Sequence, residues 1–141
     1  MEKMISIKEV SKWFLYKESM NKKKLECLCY FAYAWSLVFN IKIKDCKFQA
    51  INNGIKNEYL DSEYSKYGYD LIPKNDKPSI DNEMNEFLEL IWVTYEDICD
   101  HELNAIIMSE LPWLEAKLDP KGKNVINEDT LKKCYEKQLT F

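Results

Sequence analysis

Residues 25–40 read LECLCYFAYAWSLVFN, with cysteines at 27 and 29 and aromatics at Tyr30, Phe31, Tyr33, Trp35 and Phe39. Wound as an α-helix, the stretch puts Leu25, Leu28, Cys29, Ala32 and Ser36 on one face. Cys27, Phe31, Ala34 and Val38 fall on another, and only Glu26, Tyr30, Tyr33 and Asn40 make a polar or amphipathic stripe. A helix that is apolar almost all round belongs inside a protein, so residues 22–39 are expected to be a central helix. Two residues apart on a helix, Cys27 and Cys29 project roughly 200° away from each other and cannot grip one ion together. The aromatics are interleaved with Ala and Leu rather than Lys, which suits core stacking better than a platform for bases.

Helical spacing continues on both sides. Ser6 and Glu9 have capping-box spacing ahead of Ile7, Val10, Trp13, Phe14 and Leu15, which predicts a first helix over about 6–18. Lys22, Lys23 and Lys24 read as a solvated helix start. Residues 41–52 alternate apolar and polar in part and predict a short strand or hairpin, with Asn52-Asn53-Gly54 as a turn. Leu60, Tyr64 and Tyr67 mark a helix that Gly68 can stop. After a loop containing Pro73 and Pro78, Ser79 is a candidate cap for a helix whose stripe is Ile80, Met84, Phe87, Leu88, Ile91, Trp92 and Tyr95. Asp81, Glu83, Glu86 and Glu89 cover the other side of that helix. Shorter helices are expected at 100–109, after Pro112, and after the cap Asn127, where Leu131, Cys134, Tyr135 and Gln138 or Leu139 share a side. The fold class is mainly α: one compact multi-helix domain over residues 1–141.

The totals agree. The 141 residues are 46% hydrophobic, enough for a real core, and three glycines are few for Gly-rich phosphate loops or a turn-dense β fold. No apolar run reaches membrane-spanning length and no signal peptide is visible, so a cytoplasmic protein with reduced thiols is expected. The net charge of −4 is unevenly spread. Residues 1–56 carry eleven Lys and five acids, whereas residues 57–141 carry nine Lys and nineteen acids. Such a division can steer a charged protein partner. Arginine is absent, which removes the planar fork that reads guanine and clamps phosphate, and makes nucleic acid an unfavoured partner.

Chemistry is not evident. His101 is the only histidine, and DICDHEL around it has no nucleophile-loop character. The acids Glu86 and Glu89 read as solvated neighbours, and no GxGxxG or GxxxxGK[ST] occurs. The residues alone therefore point to a non-enzymatic binding domain with no cofactor and no metal.

The order of short motifs adds to this. Tyr30-Phe31-Ala32-Tyr33-Ala34-Trp35, then Ala50-Ile51-Asn52-Asn53-Gly54, then Tyr64-Ser65-Lys66-Tyr67-Gly68 follow one another along the chain. Trp92-Val93-Thr94-Tyr95 and Pro112-Trp113-Leu114-Glu115-Ala116 complete the series. In this order and spacing, over roughly residues 5–137, they resemble the Panacea-domain proteins, the SocA-like antitoxins found in phages, prophages and bacteria. The resemblance implies a mostly helical domain that binds a protein toxin, with one branch acting as an adaptor that delivers the toxin to a protease. It brings no catalytic residues. Where the family has His-Gly-Pro this chain has Asn53-Gly54-Ile55, and where it has Thr-His before Pro-Trp this chain has Ile107-Met108. These changed positions read as surface or pocket specificity. The candidate partner-binding residues are accordingly Asn52, Asn53, Gly54 and Lys56, the acidic face Asp81, Glu83, Glu86 and Glu89, and Met108 with Glu110. The expected function is an antitoxin that neutralises a toxin by direct contact. The alternative is a phage-encoded inhibitor of a bacterial defence protein, anti-CRISPR-like, on the same fold. Nothing in the sequence sets the oligomeric state.

Overall fold

A computed structural model describes residues 3–139. The chain opens with strand β1 (Lys3–Ser6) and turns directly into helix α1 (Ile7–Lys17). The switch is made by Ser6, whose Oγ accepts from the Glu9 N–H while the Glu9 carboxylate accepts from the Ser6 N–H, the two halves of the expected capping box. Helix α2 (Lys22–Val38) follows, capped by the Asn21 side chain. Strand β2 (Ile41–Lys44) then returns beside β1 in parallel, so that Ile5 and Ile43 pair and point inward while Met4 and Lys42 point out.

The expected strand or hairpin at 41–52 therefore divides in two. Residues 41–44 belong to the parallel pair, whose partner β1 is too short to show a sequence period. The hairpin is formed by β3 (Gln49–Ile51) and β4 (Gly54–Lys56) across the Asn52-Asn53 turn, with Ala50 opposite Ile55. Asn57 caps α3 (Glu58–Tyr64) by accepting from the Leu60 N–H, and its amide donates to the Lys47 carbonyl. A 3₁₀ turn over Ser65–Tyr67 ends at Gly68.

The loop beyond Gly68 is held to α1 and its exit. Ile72 bridges to Met20, and the Asn75 amide donates to the Lys12 carbonyl. Helix α4 (Asn82–Tyr95) is capped by Asp81 rather than by Ser79, because the Asp81 carboxylate accepts from the Met84 N–H. Helices α5 (Asp100–Ser109), α6 (Leu111–Lys117) and α7 (Glu128–Glu136) complete a mainly α domain, with Pro112 in the first turn of α6 and Asn127 capping α7.

One core holds these seven helices together. Helix α2 is its axis: every residue from Cys27 to Ala34 is at most 4% exposed. Of the stripe read as amphipathic, Tyr30 and Tyr33 are buried as well, whereas Glu26 is half-buried and Asn40 is exposed. Tyr30 is fully buried with no hydrogen-bond partner for its hydroxyl among the described residues, and Tyr33 donates to Glu128 on α7. Phe31 stacks face to face on Tyr95 with ring centroids 4.0 Å apart, Trp35 Nε1 donates to the Tyr95 hydroxyl, and the Tyr135 ring meets Trp35 edge-on. The aromatics of LECLCYFAYAWSLVFN are thus the joints between α2, α4 and α7. No helix of the described residues is long and apolar enough to cross a membrane.

Candidate functional site

The Asn52–Gly54 turn is gripped from two helices. Gly54 sits at φ 152°, and a Cβ placed there would lie 2.7 Å from Asn104 Oδ1 on α5. The Asn104 amide donates to the Asn53 carbonyl at 2.9 Å and to Met108 Sδ at 3.4 Å. Trp113 of α6 donates from Nε1 to the Gly54 carbonyl at 2.7 Å in a buried contact. Met108 and the Asn53–Gly54 pair, more than fifty residues apart in sequence, therefore meet around Asn104. Asn52 is exposed at the tip, and Lys56 is half-buried in β4 opposite Gln49.

Beside this turn opens a cleft of about 630 Å³, between the starts of α2 and α5, the hairpin and the 3₁₀ turn. Asn21 closes one end: its Oδ1 caps α2 and its amide donates to Asp100 Oδ2 at 3.0 Å. Although burial opposes it, the Asn21 amide and the His101 N–H hold the Asp100 carboxyl below its ordinary range. Lys22 is fixed by a salt bridge to Asp61. Glu26 lines the cleft from α2, one turn after Lys22 and Lys23. Burial pushes its carboxyl up to about 7, against the pull of Lys22 and Lys23. His101 stands exposed on the wall of the same cleft. Cys27, the thiol that lines the cleft, is a poor nucleophile: burial pushes it up to about 12, and Cys29 behind it well above the ordinary thiol range. Cys46 and Cys134, both half-buried, are raised for the same reason, while Cys99 is exposed at the cap of α5. Among the described residues no three His, Cys, Asp or Glu side chains gather as metal ligands. The cleft can hold a proton on Glu26 near neutrality, while the Asn21 and Asn104 amides and the Lys22 ammonium on its walls are engaged within the fold.

The second surface is the outward side of α4. Of its four acids, Asp81 is engaged as the cap, and Glu89 pairs with Lys17 of α1 at 2.8 Å. Glu83 and Glu86 continue along a stripe that also carries Leu90 and Val93, at 3-4-3 spacing. Leu90 is 60% and Val93 63% exposed. Next to them Trp35, Phe39, Phe87, Leu90, Ile91, Thr94 and Leu139 line an apolar groove of about 220 Å³. The face expected to be solvated and acidic is therefore acidic in its first half and apolar in its second.

Glu110 has a different place. It stands between α5 and α6, accepts from the Tyr135 hydroxyl at 2.7 Å and from Gln138, and ties α7 to the rest of the fold. No protein-family model matches the chain, and neither a curated protein nor a solved structure does.

Sequence reasoning missed Glu26, Asn104, Leu90 and Val93. Three of these had a signal. Glu26 is a lone acid inside an apolar helix, and Leu90 and Val93 lie off the core stripe of α4 while being too apolar for a solvated face. Asn104 had none, because its role depends on where the hairpin lands.

Proposed function

We propose that this chain is a non-enzymatic protein-binding domain, an antitoxin that neutralises a toxin by direct contact in the bacterial cytoplasm. The observation that carries the reading is the α4 face, where Leu90 and Val93 stand in solvent beside the groove bounded by Phe39 and Leu139. A domain with a well-filled core gains nothing for its own stability from such a patch, and a contiguous apolar patch with a charged border is the mark of an interaction surface. The motif order that resembles the Panacea-domain antitoxins supports the toxin as the kind of partner.

The test is co-expression with the product of each adjacent gene. A neighbour that arrests growth alone and is harmless with this chain supports the reading. Absence of rescue for every neighbour overturns it. A second reading, a phage-encoded inhibitor of a bacterial defence protein, is favoured by the nineteen acids of residues 57–141, which suit a basic, nucleic-acid-binding target. Recovery of a defence nuclease as the stoichiometric partner from infected-host lysate would select it over the toxin.

A further inference from the structure

We propose that the α4 face receives a basic amphipathic helix of the partner, its apolar side in the groove and its lysines or arginines over the acids of α4. The inference rests on the protein-binding reading and names the element that docks.

Three observations fix the chemistry of the occupant. The first is shape. The groove runs between α4 and the end of α2 and is almost wholly apolar, and about 220 Å³ admits one or two large side chains rather than a folded surface. A helix offering anchors at i, i+3 or i+4 matches a groove that follows a helix axis. The second is charge. Helix α4 itself carries no basic residue; Glu89 is paired with Lys17 of α1, but Glu86 is exposed on the same side as Leu90, Glu83 lies one turn before it, and Glu96 and Asp97 follow at the end of the helix. Glu86 lies one turn before Leu90, so a cation one turn from an apolar anchor meets a carboxylate. The third is the end of α2. It stops at Phe39, beside Phe87, with no basic residue in its last turn. Its carbonyl end therefore adds negative potential at the groove. An acidic or neutral helix of the same apolarity would gain only the groove.

A second copy of this chain is the competing occupant, but it would bring the same acids against themselves. Like charges across an interface oppose association.

The probe is a 14-residue synthetic helix with leucines on one side and lysines on the other, titrated into the full chain and followed by amide chemical shifts. The control peptide has glutamate in place of each lysine. The lysine peptide is expected to shift resonances of Leu90, Val93, Phe39 and Thr94, and to bind at least tenfold more tightly than the glutamate peptide at low salt. Raising the salt should narrow that ratio. Leu90→Ser with Val93→Ser should weaken the lysine peptide about tenfold, and Glu86→Lys about fivefold. Both variants alter exposed positions, so unchanged far-ultraviolet dichroism verifies that they fold. Equal binding of the two peptides, or shifts confined to the cleft at Glu26 and His101, overturns the proposal. So does a sedimentation dimer that the double serine variant dissolves. The parent reading fails separately: toxin neutralisation that survives the double serine variant removes this face and keeps the antitoxin, whereas no rescue by any neighbour removes the antitoxin whatever the peptide does.

Discussion

Helices α2 and α4 lie antiparallel, with Lys24 reaching the Glu96 carbonyl at one end and Phe39 meeting Phe87 at the other, yet only α2 is covered on every side. Around α2 stand α1, α4, α5, α7 and β2, whereas α4 packs on α2 and α1 and leaves Leu90 and Val93 in water. Both helices are rich in apolar residues. What separates them is coverage, which depends on how many neighbours the chain brings back. An apolar residue on α2 stabilises the fold, and one on the outer side of α4 is available to something else.

That contrast can be broken most directly at its buried end. Phe31→Ala removes the ring stacked on Tyr95 at the centre of the core, and should cost about 3–5 kcal/mol in denaturant unfolding. A loss below about 1 kcal/mol would mean that α2 is not the axis of the fold.

The next largest effect concerns the one acid in the covered part of α2. Burial raises the folded Glu26 carboxyl from 4.5 to about 7, so the folded state holds a proton that the unfolded chain releases. The stability linked to that proton is full below about pH 4.5 and is lost as pH rises through about 7, a change of up to about 3 kcal/mol. Glu26→Gln should flatten this slope and leave the variant more stable than the parent above neutral pH. Parallel stability curves for the two proteins would show that Glu26 is solvated.

Gly54→Ala sets a side chain against Asn104 at a backbone angle that suits glycine, and is expected to cost about 1–3 kcal/mol in thermal or chemical unfolding. An unchanged midpoint would show that the turn yields. The smallest effect belongs to the open side of α4. Leu90→Ser should change stability by less than about 0.5 kcal/mol, and a loss comparable to a core substitution would mean that this face is covered within the chain.

Much of the covered region was readable from the sequence, because burial imposes a period. The capping box at Ser6, the largely apolar α2 and the cap at Asn127 are local features that neighbouring residues determine. The parallel pairing of β1 with β2 was not legible, since four residues carry no usable period and the partner lies about forty positions away. The α4 cap moved from Ser79 to Asp81 for a subtler reason: both residues can cap, and only the one whose oxygen reaches the Met84 N–H does. The candidate sites divide in the same way. The Asn53–Gly54 turn and Met108 were singled out separately, but their meeting through Asn104 is a tertiary fact. The division of charge along the chain reads differently once folded. Lys17–Glu89 and Lys22–Asp61 join the basic part to the acidic part, so some of that asymmetry is spent inside the molecule.

The sheltering of the thiols has a practical side. Cys27 and Cys29 are buried, Cys46 and Cys134 are half-buried with raised thiols, and Cys99 is exposed where α5 begins, next to Asp100 and His101 on the wall of the cleft. A brief maleimide pulse on the folded protein should therefore tag one position out of five. The natural sequence comes with a single addressable handle, so a dye at Cys99 can report events at the cleft, and a donor on a docking peptide can measure its distance from α4, before any cysteine is engineered.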